Sequence, residues 1–335
     1  MKWGRFTLDY GCSAIITEKS TASDNLLEHY TAYLLTSPMS TGEHYTHGTI
    51  KTYLSAVRDL HIEHVGINPT RSPRVRRCLA SARKYCIRRG RVRRKWPISP
   101  AMLRTWRKTL GHTWDNYVKW AAALLAFFGL HRVSEYAWTG KKYKGLRRGN
   151  VEFSADRDED GVPKYVTVHL ERYKNDIWRF GATYKYFRSG TDLCLVEALW
   201  AILQHDTRPI GDPLFALNNG KHLTRKIVEK YAKCMAVGAG LPVGKVNTHS
   251  FRAGGACALW AAGYSARDIQ ILGRWRSDCW RIYTTQDDER IRDVASRMSL
   301  SSPSGVEYAK LHGRLQVEPE QSADLPSLMR IMRGT

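Results

Sequence analysis

The sequence predicts a mainly α-helical protein with a small β-sheet, arranged as a helical N-terminal domain followed by a mixed α/β domain. Three observations carry that expectation. Apolar residues recur at helical spacing through most of the chain, while strand-like alternation is found in "YVTVHLERY" and "GATYKYF". A basic stretch with two prolines, "GRVRRKWPISP", interrupts the helical pattern and reads as a linker. At 335 residues the chain suits two domains of roughly 100–200 residues each. A hydrophobic content of 43% can fill cores of that size.

Residues 1–20 show little periodicity and are expected to form a loose N-terminal arm. The helical domain follows over 21–90. In "SDNLLEHYTAYLLT", Leu26, Leu27, Tyr30, Tyr33 and Leu34 share one face, and Ser37-Pro38 is a stop signal. Ile50, Tyr53, Leu54, Val57 and Leu60 repeat the pattern up to Gly66. Val75, Leu79, Ala82 and Cys86 form a narrow apolar stripe in "SPRVRRCLASARKYCIRRG". The linker is placed at 91–99 and the second domain at 100–300. Its helices are expected near 100–110 and 115–130, then Asp192–Gln204, Arg225–Val237, Ser250–Ala262, Ala266–Leu272 and from Cys279 onward. The 115–130 helix is apolar on most faces and should lie in a core, with Gly129 as its breaker or cap. The two strands are joined by "KNDIWRF". Residues 301–335 are a tail, either disordered or docking through "LPSLMRIM" on a neighbouring subunit.

Charge narrows the partner. Lys and Arg number 53 against 31 Asp and Glu, a formal net charge of +22, which points to a polyanion and first to nucleic acid. From Arg71 to Lys95 there are twelve basic residues and no acidic one. Solvated helix faces normally mix both signs, so Arg74, Arg76, Arg77, Arg83, Lys84, Arg88, Arg89, Arg91, Arg93, Arg94 and Lys95 are candidates for phosphate contact. No apolar run of about 18 residues and no signal-peptide pattern is found, so no membrane partner and an intracellular location are expected. The seven cysteines are scattered and never form C-x-x-C, which argues against a disulfide framework and a zinc site.

The stretch "THSFRAGGACALWAAGYSARDIQILGRWRSDCWRIY" is the most specific. His249 and Arg252 stand three apart at an expected helix start, so both project from one turn, where a helix N-terminus favours phosphate. Gly254 and Gly255 would let another element pack closely. "LGRW" follows, and Tyr283 lies eight residues after Trp275. Together these residues resemble the H-x-x-R…[HW]…Y signature of the tyrosine recombinase (phage integrase) family. "GLHRVSEY" resembles the family's G-x-R-x-S-E segment, and "RYKNDIWRFG" its lysine-bearing β-hairpin. The likeness covers 97–295 and, more loosely, the helical 20–90 region, which resembles a core-binding domain. The wording of "YKND" and "LGRWRSD" is closer to Crypton and DIRS-type recombinases of eukaryotic mobile elements than to bacterial Xer proteins.

The resemblance implies a catalytic set of Arg132, Lys174, His249, Arg252, Trp275 and Tyr283, with Glu135 as a supporting carboxylate. A 28-residue segment between Arg132 and Lys174 reads as an insertion with an acidic-glycine turn at "DRDEDG", leaving Lys164 and Lys185 as competitors for the lysine role. The implied activity is site-specific DNA cleavage and rejoining through a 3′-phosphotyrosyl intermediate, for integration or excision of a mobile element. It requires no metal and no cofactor. The implied partners are double-stranded DNA and a homotetramer on two DNA sites, monomeric or dimeric when free. The compartment is the nucleus for a eukaryotic element and the cytoplasm otherwise. Two other readings stay open: a type IB topoisomerase-like enzyme that nicks and reseals, and a domesticated DNA-binding protein without activity.

Overall fold

The computed structural model describes residues 2–91, 95–140, 142–174, 176–277 and 281. The helix expected from Cys279 onward, the 301–335 tail with "LPSLMRIM", and Arg93, Arg94 and Tyr283 lie outside the described residues. The chain divides into two compact units. One comprises Met1–Trp96 with Glu229–Ser250, the other Pro97–Val228 with the chain from Phe251 onward.

The first unit contains α1 (Lys2–Asp9), α2 (Thr21–Thr36), α3 (His47–Val65) and α4 (Pro73–Arg88). Their boundaries follow from local chemistry. Ser20 and Ser23 form a reciprocal capping box that starts α2. Thr46 caps α3, which ends at Gly66 in the left-handed conformation that glycine adopts without a Cβ penalty. Ser72 caps α4, whose first residue is Pro73, where a missing N–H costs nothing. The core gathers Leu27, Tyr30, Leu34, Ile50, Leu54, Val57, Val75 and Cys86.

Residues 2–9, expected in a loose arm, instead form α1. A helix of this length is not stable alone. It is held by burial of Trp3 and Phe6, whose rings sit 4.9 and 5.0 Å from that of Tyr30. The following segment is tied down as well. Trp3 Nε1 donates to the Ala14 carbonyl (2.8 Å), and His61 accepts from the Ile16 N–H at Nε2 (2.9 Å) while Nδ1 donates to Val57 O (2.7 Å). The Glu229–Ser250 segment, expected with the second domain, groups with this unit. Here the Trp96 N–H donates to the Lys245 carbonyl (2.8 Å) and Lys95 Nζ to that of Gly244 (2.8 Å).

The second unit is mainly helical around a small sheet. It holds α5 (Pro100–Thr109), α6 (Trp114–Phe128) and α7 (Val133–Tyr136), strands β1 (Val151–Phe153), β2 (Tyr165–Leu170) and β3 (Ala182–Phe187), and α8 (Leu195–Leu203). The division between units falls within α9 (Arg225–Gly238), and the chain continues through α10 (Ser250–Ala261) and α11 (Ala266–Leu272). The sheet is antiparallel in the order β1-β2-β3, with Val151 opposite Val168 and Thr167 opposite Lys185. β2 buries Val166, Val168 and Leu170 on one face, as its alternation requires. The three-residue β1 lies inside the segment read as an insertion and is too short to show a period of two. The acidic-glycine turn joins it to β2: Asp158 Oδ1 accepts from the N–H groups of Asp160 (3.1 Å) and Val162 (2.8 Å).

α6 is buried on nearly every side from Trp120 to Phe127. Where α10 passes it, a Cβ on Gly255 would overlap the Phe127 carbonyl oxygen, and one on Gly254 that of Ile98. Both glycines therefore set a backbone-to-backbone approach. Among the described residues no helix is long and apolar enough to cross a membrane. Gly255→Ala is expected to destabilise the protein by about 1–3 kcal/mol, the usual range for overpacking a tight site. Denaturant melts of the variant and the parent chain check this; an unchanged midpoint would mean that the approach is not tight.

Candidate functional site

The site is assembled at the C-terminal end of α6. The last carbonyls of a helix lack intrahelical donors and carry partial negative charge. Here Gly129 ends the helix and Leu130 turns the chain through a left-handed conformation (φ 46°). The Gly129 and Leu130 carbonyls become cation acceptors. Arg274 donates to both, through Nη1 to Gly129 O (3.2 Å) and Nη2 to Leu130 O (3.1 Å). Arg252, in the first turn of α10 and fully buried, donates to the carbonyls of Leu130 and Gly273. Its guanidinium carbon lies 4.2 Å from the centroid of the buried Trp275 ring, a cation–π contact.

One carboxylate gathers the rest. Glu135, in α7 and 4% exposed, accepts at Oε2 from the Arg132 N–H (2.9 Å), from His131 Nδ1 (3.2 Å) and from Arg274 Nη2 (2.9 Å). Its Oε1 accepts from Arg132 Nη1 (3.1 Å). Burial by itself would raise the Glu135 pKa. The hydrogen bond from His131 and the charge of Arg274 outweigh it and hold the carboxyl well below the usual carboxylate range. His131 is fully buried, and that burial pushes its pKa down to about 4 despite the opposing pull of Glu135. The ring is thus neutral at pH 7. Because an ionised carboxylate only accepts, the His131 proton sits on Nδ1, and Nε2 has no hydrogen-bond partner among the described residues.

Two guanidinium groups, those of Arg132 and Arg274, therefore meet one carboxylate beside one neutral imidazole, and a third, that of Arg252, shares the Leu130 carbonyl with Arg274. Excess buried positive charge is costly unless an anion joins it. Arg132 opens the cluster to solvent, with its side chain one fifth exposed. The wall behind Arg274 is β3: its guanidinium lies over the Tyr184 ring at 5.3 Å, and burial raises the pKa of the neighbouring Tyr186 phenol, keeping it protonated. A phosphate group matches this cluster in charge and in its demand for fork-shaped donors.

Of the residues expected from sequence, Arg132, Glu135, Arg252 and Trp275 come together here. Lys174 is exposed, in the connection between β2 and β3. Lys185 is exposed on β3 over the Tyr165 ring (4.1 Å), on the strand face opposite Tyr184 and Tyr186, and Lys164 is exposed at the acidic turn. His249 belongs to the first unit, directly before α10, where its N–H donates to Asn247 Oδ1 (2.9 Å). In the basic stretch, Arg76, Arg77, Arg83, Lys84, Arg88 and Arg89 are exposed. Arg74 is engaged internally, bonding Glu28 (3.0 Å) and Asn25 (2.8 Å) of α2, and Arg91 donates to Leu35 O (2.7 Å). Sequence reasoning passed over His131 and Arg274. The signal for both was adjacency, to Arg132 in "GLHRVSE" and to Trp275 in "LGRW".

No family model matches the sequence, and no curated protein does. The fold nevertheless matches solved recombinases. It is similar to XerH site-specific recombinase bound to palindromic difH substrate in a post-cleavage complex, with a TM-score of 0.56 and 16% identity over 88% of this chain and 76% of that one. It is also similar to a fragment of the Tn1549 transposon integrase in complex with circular intermediate DNA, with a TM-score of 0.50 and 13% identity over 90% of this chain and 93% of that one. At these identities the likeness establishes the fold: a mainly α chain with a small sheet, as in site-specific recombinases and integrases.

Two outcomes test the cluster. Removing the carboxylate with Glu135→Ala leaves buried guanidinium groups unpaired and should cost about 3–5 kcal/mol in unfolding free energy by denaturant titration. The second concerns pH. The unfolded chain protonates His131 near its ordinary value of 6.5, the folded one near 4, so acidification through that window favours unfolding. Glu135 adds a slope of the same sign at lower pH, because its depressed pKa stabilises the fold only while it is ionised. His131→Gln should flatten the fall in melting temperature between pH 6.5 and 4; equal slopes in the two proteins would contradict the neutral, buried imidazole.

Proposed function

We propose that the protein is a site-specific DNA recombinase that cleaves and rejoins DNA through Tyr283. The observation that carries this reading is the cluster in which Arg132 and Arg274 share the Glu135 carboxylate and Arg252 joins Arg274 on the Leu130 carbonyl, in a fold shared with recombinases and integrases. Its position in the chain adds support, since Trp275, stacked on Arg252, precedes Tyr283 by eight residues.

In this reading the Tyr283 oxygen attacks the scissile phosphorus, forming a tyrosyl–phosphorus bond to the 3′ side and breaking the bond to the 5′ oxygen. Free tyrosine has a pKa of about 10, so only about one in a thousand is phenolate at pH 7. The phenolic proton must therefore be taken up, and His249 is assigned that part. Arg132 and Arg252 stabilise negative charge on the non-bridging oxygens, the preorganised electrostatic effect that usually contributes most. Arg274 and Glu135 hold that pair in place. Trp275 packs against Arg252 and has no proton to transfer at neutral pH. Lys174 protonates the departing 5′ oxygen, and its exposure suits a group that meets the duplex directly. The phosphodiester energy stays in the phosphotyrosine until the reverse attack reseals the strand.

The finer assignments rest on motif wording: a recombinase of Crypton or DIRS type, moving a mobile element, acting as a homotetramer on two DNA sites within the nucleus of a eukaryotic host. A nicked suicide substrate tests the chemistry. The parent chain should form a covalent DNA adduct, and Tyr283→Phe should abolish it while leaving binding intact; adducts that persist in the variant exclude Tyr283 as the nucleophile. Adducts without strand transfer between two labelled duplexes would favour the topoisomerase-like reading, and binding without adducts a protein that has lost activity.

The basic face makes a separate prediction. Replacing Arg76, Arg77, Arg83, Lys84 and Arg88 by Gln should weaken binding to all sequences and reduce the salt slope by roughly 0.9 for each phosphate that is no longer neutralised. Arg74→Gln should act on stability instead, because its guanidinium is engaged with Glu28 and Asn25. Binding isotherms between about 50 and 200 mM salt, where such slopes are steep, read the difference.

A further inference from the structure

The connection between β2 and β3 carries a feature that neither folding nor the proposed chemistry uses. Ile177, Trp178 and Phe180 stand 69%, 75% and 87% exposed within four residues. Single exposed apolar side chains are ordinary, but three large ones at one tip are not. The backbone beneath them is fixed. Both Asp176 carboxylate oxygens are occupied, Oδ1 by the Phe180 N–H (3.1 Å) and Oδ2 by the Gly181 N–H (2.8 Å), and the Asp176 N–H donates to Tyr173 O (3.0 Å). Arg179 is held in the left-handed region (φ 57°), and so is Gly181 (φ 70°), where a Cβ would strike the Leu170 carbonyl. A turn constrained in this way presents its aromatics outward.

The charge around the tip selects the occupant. Arg172, Lys174 and Arg179 are exposed beside the aromatics; of the two acidic side chains of the connection, Asp176 is engaged with the backbone, and Glu171, at its base, accepts from Asn150 Nδ2 (3.1 Å). Arg172 also lines a cleft with Lys144, Arg147, Glu135 and Glu171, so a cleft with three cations against two carboxylates leads from the base of the connection to the carboxylate of the cluster. Aromatic rings interleaved with cations fit a duplex: the cations meet phosphates and an apolar wedge enters between base pairs.

We infer that Trp178 and Phe180 form a wedge that inserts into double-stranded DNA beside the cleavage site, unstacking a base step while Arg172 and Arg179 hold the flanking phosphates. This rests on the proposed DNA-cleaving function, and the test separates the two. The full chain carrying Tyr283→Phe binds without cutting, so wedging is read independently of catalysis. With a nicked plasmid as probe, ligation at saturating protein should trap a linking-number shift, because wedge insertion unwinds the duplex. Adding Trp178→Ala and Phe180→Ala should remove most of that shift and weaken binding by about tenfold or more. The salt slope should stay unchanged, because the cations remain. Trp178→Phe should retain the shift. Since both side chains are exposed, the melting temperature reports that folding is intact. An unchanged shift and affinity in the double alanine variant would overturn the inference. So would a loss of self-association by sedimentation with DNA binding unaltered, which would make the tip a protein-docking surface. Absence of covalent adducts in the parent chain would overturn the cleavage reading alone.

Discussion

The buried Glu135 carboxylate is the constraint around which the second unit's site is organised. It accepts from the Arg132 backbone and side chain, from His131 and from Arg274, joining residues 131–135 to residue 274. Burying a carboxylate is unfavourable by itself. Here each oxygen has a cationic or N–H donor, so the ionised form persists and the donors are fixed in turn. The neutral His131 matters to this balance. A protonated imidazole at that position would add a third charged donor to a carboxylate already shared by two guanidiniums.

The second requirement is close backbone approach. Arg252, on α10, reaches the Leu130 carbonyl because α10 packs closely on the end of α6 at Gly255 and on the Ile98 backbone at Gly254. The left-handed turns at Leu130 and Arg274 then aim two carbonyls and one guanidinium into the same space. The cost of those backbone conformations, of order 1–3 kcal/mol each, is offset by the hydrogen bonds that they make possible. What results is a small volume with more cation than anion, the electrostatic condition for holding a phosphodiester.

The outer surface is built on a different principle. On α4 the exposed arginines are unconstrained point charges suited to sequence-independent attraction, whereas Arg74 is tied into the fold by Glu28 and Asn25. Residue type could not separate these two uses. The partners of Arg74 lie 46 and 49 positions earlier in the chain, and only packing of α2 against α4 brings them within reach.

By itself the sequence determined what depends on local order. Helical spacing located α2 to α6 and α8 to α11 nearly to their ends, alternation located β2 and β3, and the order of Arg132, Arg252, Trp275 and Tyr283 pointed to phosphoryl chemistry. Elements too short to show a period, β1 and α7, were illegible, and so was α1, whose helix exists because Trp3 and Phe6 find a core supplied by α2 and α3. The tertiary structure alone decided that His131 and Arg274 join the cluster, that Glu135 serves three side chains, and that Lys185 faces away from it. Each of these depends on distances between segments far apart in the chain, set by glycine crossings, left-handed turns and burial, and a linear pattern does not encode them.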